Sequence, residues 1–87
     1  MSTREAIIAA AEGLHARPAA MFVQAAKATG IPIKISKGDK PFVSATSILW
    51  VLSLGAKQGD RVVLRAEGAG ADAALDALVE QLEQAER

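Results

Sequence analysis

His15 is the one histidine in the chain, and Arg17 follows two residues later within Gly13-Leu14-His15-Ala16-Arg17-Pro18-Ala19. No cysteine is present, so no other side chain is ordinarily poised to exchange a proton near neutrality. A neutral imidazole can attack a phosphoryl group and hold it covalently. The guanidinium is a fixed cation whose N–H groups match phosphate oxygens. Pro18 and the alanines beside it open a helix, and a helix start offers unpaired N–H groups and partial positive charge to an anion. Gly13 allows a tight, exposed turn just before the histidine. These residues therefore fit a phosphoryl site. They also fit a surface or capping histidine at a helix start, and residue types alone leave both readings open.

The elements that must position this segment can be read from periodicity. Residues from about Glu5 to Ala11 form a short strand, with modest support because alanine is a poor strand former. A helix spans about Ala16 to Thr29. Ala19, Phe22, Val23 and Ala26 share one face of it, and Gly30 occupies the position after its end. Lys27 suits the negative end of the helix dipole. Ile31, Ile33 and Ile35 alternate with polar residues, giving a half-buried strand. Lys37 to Lys40 is a turn, and Phe42-Val43 returns as an edge strand beside Pro41. Ser44 to Ser47 and Gly55 bracket a short helix, which is too apolar to be fully solvated. Arg61 to Ala66 is a strand. Ala71, Ala74, Leu75, Leu78, Val79 and Leu82 line a final helix, with Asp72 and Asp76 near its positive end. The order is β-α-β-β-α-β-α. Helices covering a sheet of four short strands give a two-layer α+β domain.

Composition narrows what such a domain can do. At 87 residues the chain is one domain, residues 1–87, without room for a deep interdomain cleft. Ten Lys+Arg balance ten Asp+Glu, and there are only three aromatics (two Phe and one Trp), which argues against nucleic acid as a partner. The absence of cysteine excludes disulfides, and one histidine makes a zinc site a poor fit; no metal or cofactor is expected. No segment reaches the roughly 20 apolar residues of a membrane span. The run Ala6 to Ala11 is shorter than the apolar region of a signal peptide and reads as a buried strand. The expected location is the cytoplasm.

Gly-Leu-His-Ala-Arg-Pro-Ala resembles the active-site segment of the HPr family, the histidine-containing phosphocarriers of the bacterial sugar phosphotransferase system. Ser47-Ile48-Leu49-Trp50-Val51-Leu52-Ser53-Leu54-Gly55 is similar to that family's second block, and the length and element order fit as well. The resemblance covers essentially the whole chain. It implies an open-faced sandwich, a four-stranded antiparallel sheet with three helices on one side. It implies that His15 accepts a phosphoryl group on Nδ1 from enzyme I, charged by phosphoenolpyruvate, and passes it to IIA domains of sugar permeases. Arg17 would steady the group in transit. The chain would then be a carrier rather than a stand-alone enzyme, and a monomer, since its partners are transient. Within the family, a paralogue serving nitrogen regulation or a dihydroxyacetone kinase is the alternative; outside it, a regulatory docking module. Retention of both His15 and Arg17 argues against docking as the sole role.

The resemblance also implies a docking surface around the histidine, at Ala20, Gln24, Lys27, Ile48, Leu49 and Leu52. Ile48 and Leu52 fit core positions equally. Trp50 stands where the family commonly has glycine, and is either a docking anchor or a core filler. Ser47 matches a serine that some members phosphorylate through a dedicated kinase, and a transcription regulator is a further partner of that kind. Ser47 also fits a helix N-cap. Thr46 where lysine is frequent, and Leu49-Trp50 where Met-Gly is frequent, weaken the match to the kinase and favour the cap.

Overall fold

The computed structural model describes residues 1–84. Its elements are β1 (Ser2–Ile7), α1 (Ala16–Ala28), β2 (Ile33–Lys37), β3 (Val43–Ser44), α2 (Ile48–Ser53), β4 (Arg61–Ala66) and α3 (Ala71–Glu83). The strands form one antiparallel sheet in the order β1-β4-β2-β3. Strand alternation sends Ala6, Ile33, Ile35, Val62, Leu64 and Ala66 to the helix-covered face, and all are buried. Against them pack Ala19, Phe22, Val23 and Ala26 of α1, and Ala71, Leu75, Leu78 and Leu82 of α3. The architecture is the expected α+β open-faced sandwich.

The α1 pattern holds residue for residue, and the helix ends one residue early. Thr29 is its C-cap, and Gly30 follows in a left-handed conformation, φ 75°, with its N–H donated to the Lys27 carbonyl at 3.1 Å. The first strand differs from expectation. It spans Ser2–Ile7 rather than Glu5 to Ala11, because β4 pairs with residues Ser2 to Ile7 and no further. Past that point the chain leaves the sheet: Ile8 donates to the Asp60 carbonyl and Ala9 to the Leu82 carbonyl, both at 3.0 Å. Nor is Ala6 to Ala11 buried throughout. Ala6, Ile8 and Ala10 point in, while Ile7 is 41% exposed.

The acidic residues at the start of α3 do more than face its dipole. Arg4 Nε pairs with Asp76 at 2.8 Å and its Nη2 with Asp72 at 3.3 Å, and Ser2 donates its hydroxyl to Asp72. These contacts tie β1 to α3, and the Ser2 hydroxyl, ahead of Arg4, holds the Asp72 carboxyl below the usual carboxylate range. Among the described residues no helix is long and apolar enough to cross a membrane.

Candidate functional site

The loop from Ile8 to Leu14 delivers His15 to the start of α1. Leu14 is 2% exposed and anchors the loop in the core, and its N–H donates to the Ala56 carbonyl at 2.9 Å. Gly13 is buried rather than exposed, which corrects the reading of its turn. It adopts φ 73°, and a Cβ there would collide with the Ala56 carbonyl oxygen and lie 2.8 Å from Lys57 Cα. The glycine serves a close approach between two backbones as well as a left-handed turn.

His15 is the N-cap of α1, in an extended conformation (φ −144°, ψ 155°), and its side chain makes no capping bond. Imidazole and Arg17 guanidinium are both exposed, and among the described residues neither forms an ion pair or a side-chain hydrogen bond. Between them Ala16 has φ 50°, a left-handed conformation that costs an alanine about 1–2 kcal/mol. The chain thus turns sharply at the histidine. The N–H groups of Ala16 and Arg17 lie where a helix provides no internal acceptor, and Pro18 sits in the first turn, where its missing N–H loses nothing. An exposed imidazole, an exposed guanidinium and open backbone donors meet at one helix end.

A second loop supports this end from below. Asp60 Oδ2 accepts the Lys57 N–H at 2.8 Å and lies 3.3 Å from Lys37 Nζ. The Lys57 amide, and after it Lys37, hold the Asp60 carboxyl below its ordinary range. Lys37 also donates to the Gly55 carbonyl at 3.2 Å, and Lys40 to that of Leu54 at 3.4 Å, so two cations cap the end of α2. Gln58 reaches back to the Ala9 carbonyl at 3.2 Å, and Gly59 donates to Ile8 at 2.8 Å. The segment from Ala56 to Asp60 therefore fixes both sides of the histidine loop. Sequence reasoning missed it.

Of the expected docking positions, all but Leu52 are exposed. Arg17, Ala20, Gln24 and Lys27 are all exposed, and at spacings of three and four residues they form one stripe along α1. Ile48 is 38% and Leu49 77% exposed, so neither is core; Leu52 is partly buried and packs against the core. The α2 helix is anchored by Val51 and Leu54 and is otherwise more solvated than its composition suggests. Met21, half exposed on α1, is a further exposed apolar residue of that helix. Its signal was readable: a large apolar residue out of phase with the buried face.

Ser47 occupies the N-cap position of α2 by backbone geometry, and its carbonyl accepts the Val51 N–H at 3.0 Å. Its hydroxyl, however, makes no capping hydrogen bond, so the side chain does not do the work expected of a cap. Trp50 is 55% exposed and is not a core filler. Two residues from both Ile48 and Leu52, it lies roughly 160° around the helix from each, away from the surface they share.

Comparison with known proteins bears on the family and the fold. The family model described as "PTS HPr component phosphorylation site" matches residues 2–84. A phosphocarrier protein HPr of Streptomyces coelicolor is 51% identical over 78 residues, which cover 90% of this chain and 84% of that protein. One from Vibrio cholerae is 38% identical over 97% of this chain and 98% of its own length. The crystal structure of a phosphocarrier protein HPr from Bacillus anthracis superposes with a TM-score of 0.88 at 35% identity, covering 94% of this chain and 96% of that one.

Proposed function

The chain belongs to the HPr family, the phosphocarriers of the phosphotransferase system that drives sugar transport, and from that premise we propose that His15 is the residue that carries the phosphoryl group. Membership brings enzyme I and IIA domains as partners, and a role as carrier rather than catalyst. The observation that carries the assignment is the exposed, uncapped His15 at the open end of α1, beside an unpaired Arg17.

In the forward step, the Nδ1 lone pair of His15 attacks the phosphorus of the phosphohistidine on enzyme I. The new N–P bond forms as the old one breaks, and the departing electron pair returns to the donor imidazole. Arg17 and the first N–H groups of α1 hold the three phosphoryl oxygens through charge-assisted bonds. In the second step the same exchange runs outward, with a IIA domain of a sugar permease as acceptor. Ala20, Gln24, Lys27, Ile48, Leu49 and Leu52 form the surface on which both partners sit in turn. An exposed site suits transfer between proteins, and the carrier acts as a cytoplasmic monomer.

Ser47 is assigned a second, regulatory modification. Its hydroxyl takes no part in capping α2, and phosphate on it would place roughly two negative charges beside the docking residues Ile48 and Leu49.

Incubation with radiolabelled phosphoenolpyruvate and enzyme I tests the assignment. Acid-labile label should appear on the protein and be discharged by a IIA domain. His15→Ala should take up none; label retained by that variant would move the acceptor elsewhere. Arg17→Ala should still be labelled, but more slowly.

A further inference from the structure

On the side of α2 turned away from Ile48 and Leu52 lies a groove of about 590 Å³ between that helix and the sheet edge. We propose that this groove is a second docking site, which takes an extended acidic–apolar segment of a partner protein as an added strand along β3.

Three observations converge on that occupant. The first is backbone. β3 is the terminal strand of the sheet. Ala45 donates to the Ile33 carbonyl at 2.9 Å, and Ile35 pairs with Val43 two residues along. Residues 33/45 and 35/43 are therefore the hydrogen-bonding pairs, and the N–H and C=O of Ser44 point out from the sheet. An extended segment can pair with them.

The second is apolar surface. Trp50 lines the groove from α2 and Leu54 from its C-cap, and Pro41 and Phe42 from the segment entering β3, with Trp50 55% exposed. Side chains of an added strand alternate between faces, so every second one would meet this surface.

The third is charge. Lys34 and Lys40 line the groove, and no acidic residue does. Arg65 adds a further cation, stacked 4.0 Å above the Phe42 ring. Lys34 and Arg65 are direct cross-strand partners, an unfavourable like-charge pair, and among the described residues neither has an ion-pair partner. Carboxylates on the open face of an added strand would meet Lys34 and Arg65, while apolar residues on its other face cover Trp50. The groove lies apart from the histidine face, so occupancy is compatible with transfer at His15.

Trp50 is the only tryptophan in the chain, and its fluorescence reports on the groove directly. The probe is an end-blocked hexapeptide alternating glutamate and valine. Its titration should change Trp50 emission saturably and shift the Ser44 amide resonance. The variant Lys34→Glu should bind about tenfold more weakly or worse. Circular dichroism of that variant should match the parent, and its His15 should still be labelled from enzyme I. A peptide with lysine in place of glutamate should not bind. The proposal is overturned by no saturable change up to about 1 mM peptide, by equal binding to the charge-reversed variant, or by an unmoved Ser44 amide. Tighter binding of a single-stranded thymidine decamer than of the acidic peptide overturns it too.

Discussion

The N–H of Leu14 donates to the carbonyl of Ala56 at 2.9 Å, and Gly13 lies against that same carbonyl with no room for a side chain between them. This contact joins the loop that carries His15 to the loop that follows α2. The loop that bears the proposed phosphoryl site and the loop that follows α2 are thereby joined, although they come from distant parts of the sequence.

Gly13→Ala should disturb that relationship. The substitution needs a left-handed alanine and also forces Cβ against Lys57 Cα and the Ala56 carbonyl. Gly30→Ala is the control, with a similar φ of 75° and nothing within 4 Å of the new methyl. Gly30→Ala should cost about 1 kcal/mol, from backbone conformation alone. Gly13→Ala should cost about 2–3 kcal/mol and also slow phosphorylation of His15. Urea unfolding and labelling rates measure the two effects. Equal costs for the two alanines would show that the close approach to Ala56 contributes nothing.

What the sequence made legible follows from the range of the interactions. The buried face of α1 and the bounds of β4 are set by local periodicity, and both could be read directly. The candidate histidine and arginine stand within three residues of each other, but their types left two readings open, and only the family resemblance chose between them. The first strand was misplaced because its end is set by β4 and by the carbonyls of Asp60 and Leu82, far along the chain. Residue type suggested that Ser47 would cap α2, but its hydroxyl was free to turn elsewhere. The exposed side of α2 was hidden by its apolar composition, which fits a core helix and a docking helix equally.

Asp60 makes a pH prediction. Its carboxyl is held below the ordinary range by the Lys57 amide and Lys37. A carboxylate lowered in the folded state contributes stability that is complete above the unfolded value, near pH 4, and is lost as pH falls through the folded value. Asp60→Asn should therefore be less stable than the parent at pH 7, and the gap should close below about pH 4. Thermal unfolding of both proteins from pH 7 to pH 2 measures it. A gap that stays constant across that range would remove the carboxylate charge from the explanation.

Phe22 tests the core beneath the stripe of α1. Its ring is fully buried between α1 and the sheet residues that β2 and β4 contribute. Phe22→Ala should cost about 3–5 kcal/mol, the usual range for emptying such a site. For a domain of this size that is a large fraction of the total, so the variant should be partly unfolded at physiological temperature. Calorimetry reads the loss. A small change would mean that the neighbouring side chains collapse into the space.

Leu49, Leu52 and the neighbouring exposed Met21 test where the proposed docking surface separates from the core. Leu49 is 77% and Met21 50% exposed, so a glutamate at either position should shift stability by no more than about 0.5 kcal/mol. Each should nevertheless raise the apparent KM for transfer from enzyme I, because it puts an unpaired charge where a partner must bury apolar surface. Leu52 is partly buried against the core, so Leu52→Ala should lower both the Tm and the transfer rate. Transfer kinetics paired with thermal unfolding distinguish the cases. If Leu49→Glu and Met21→Glu transfer at the parent KM, the partners do not touch this face. If Leu52→Ala lowers Tm alone, that residue belongs to the core, and the docking surface stops at Ile48 and Leu49.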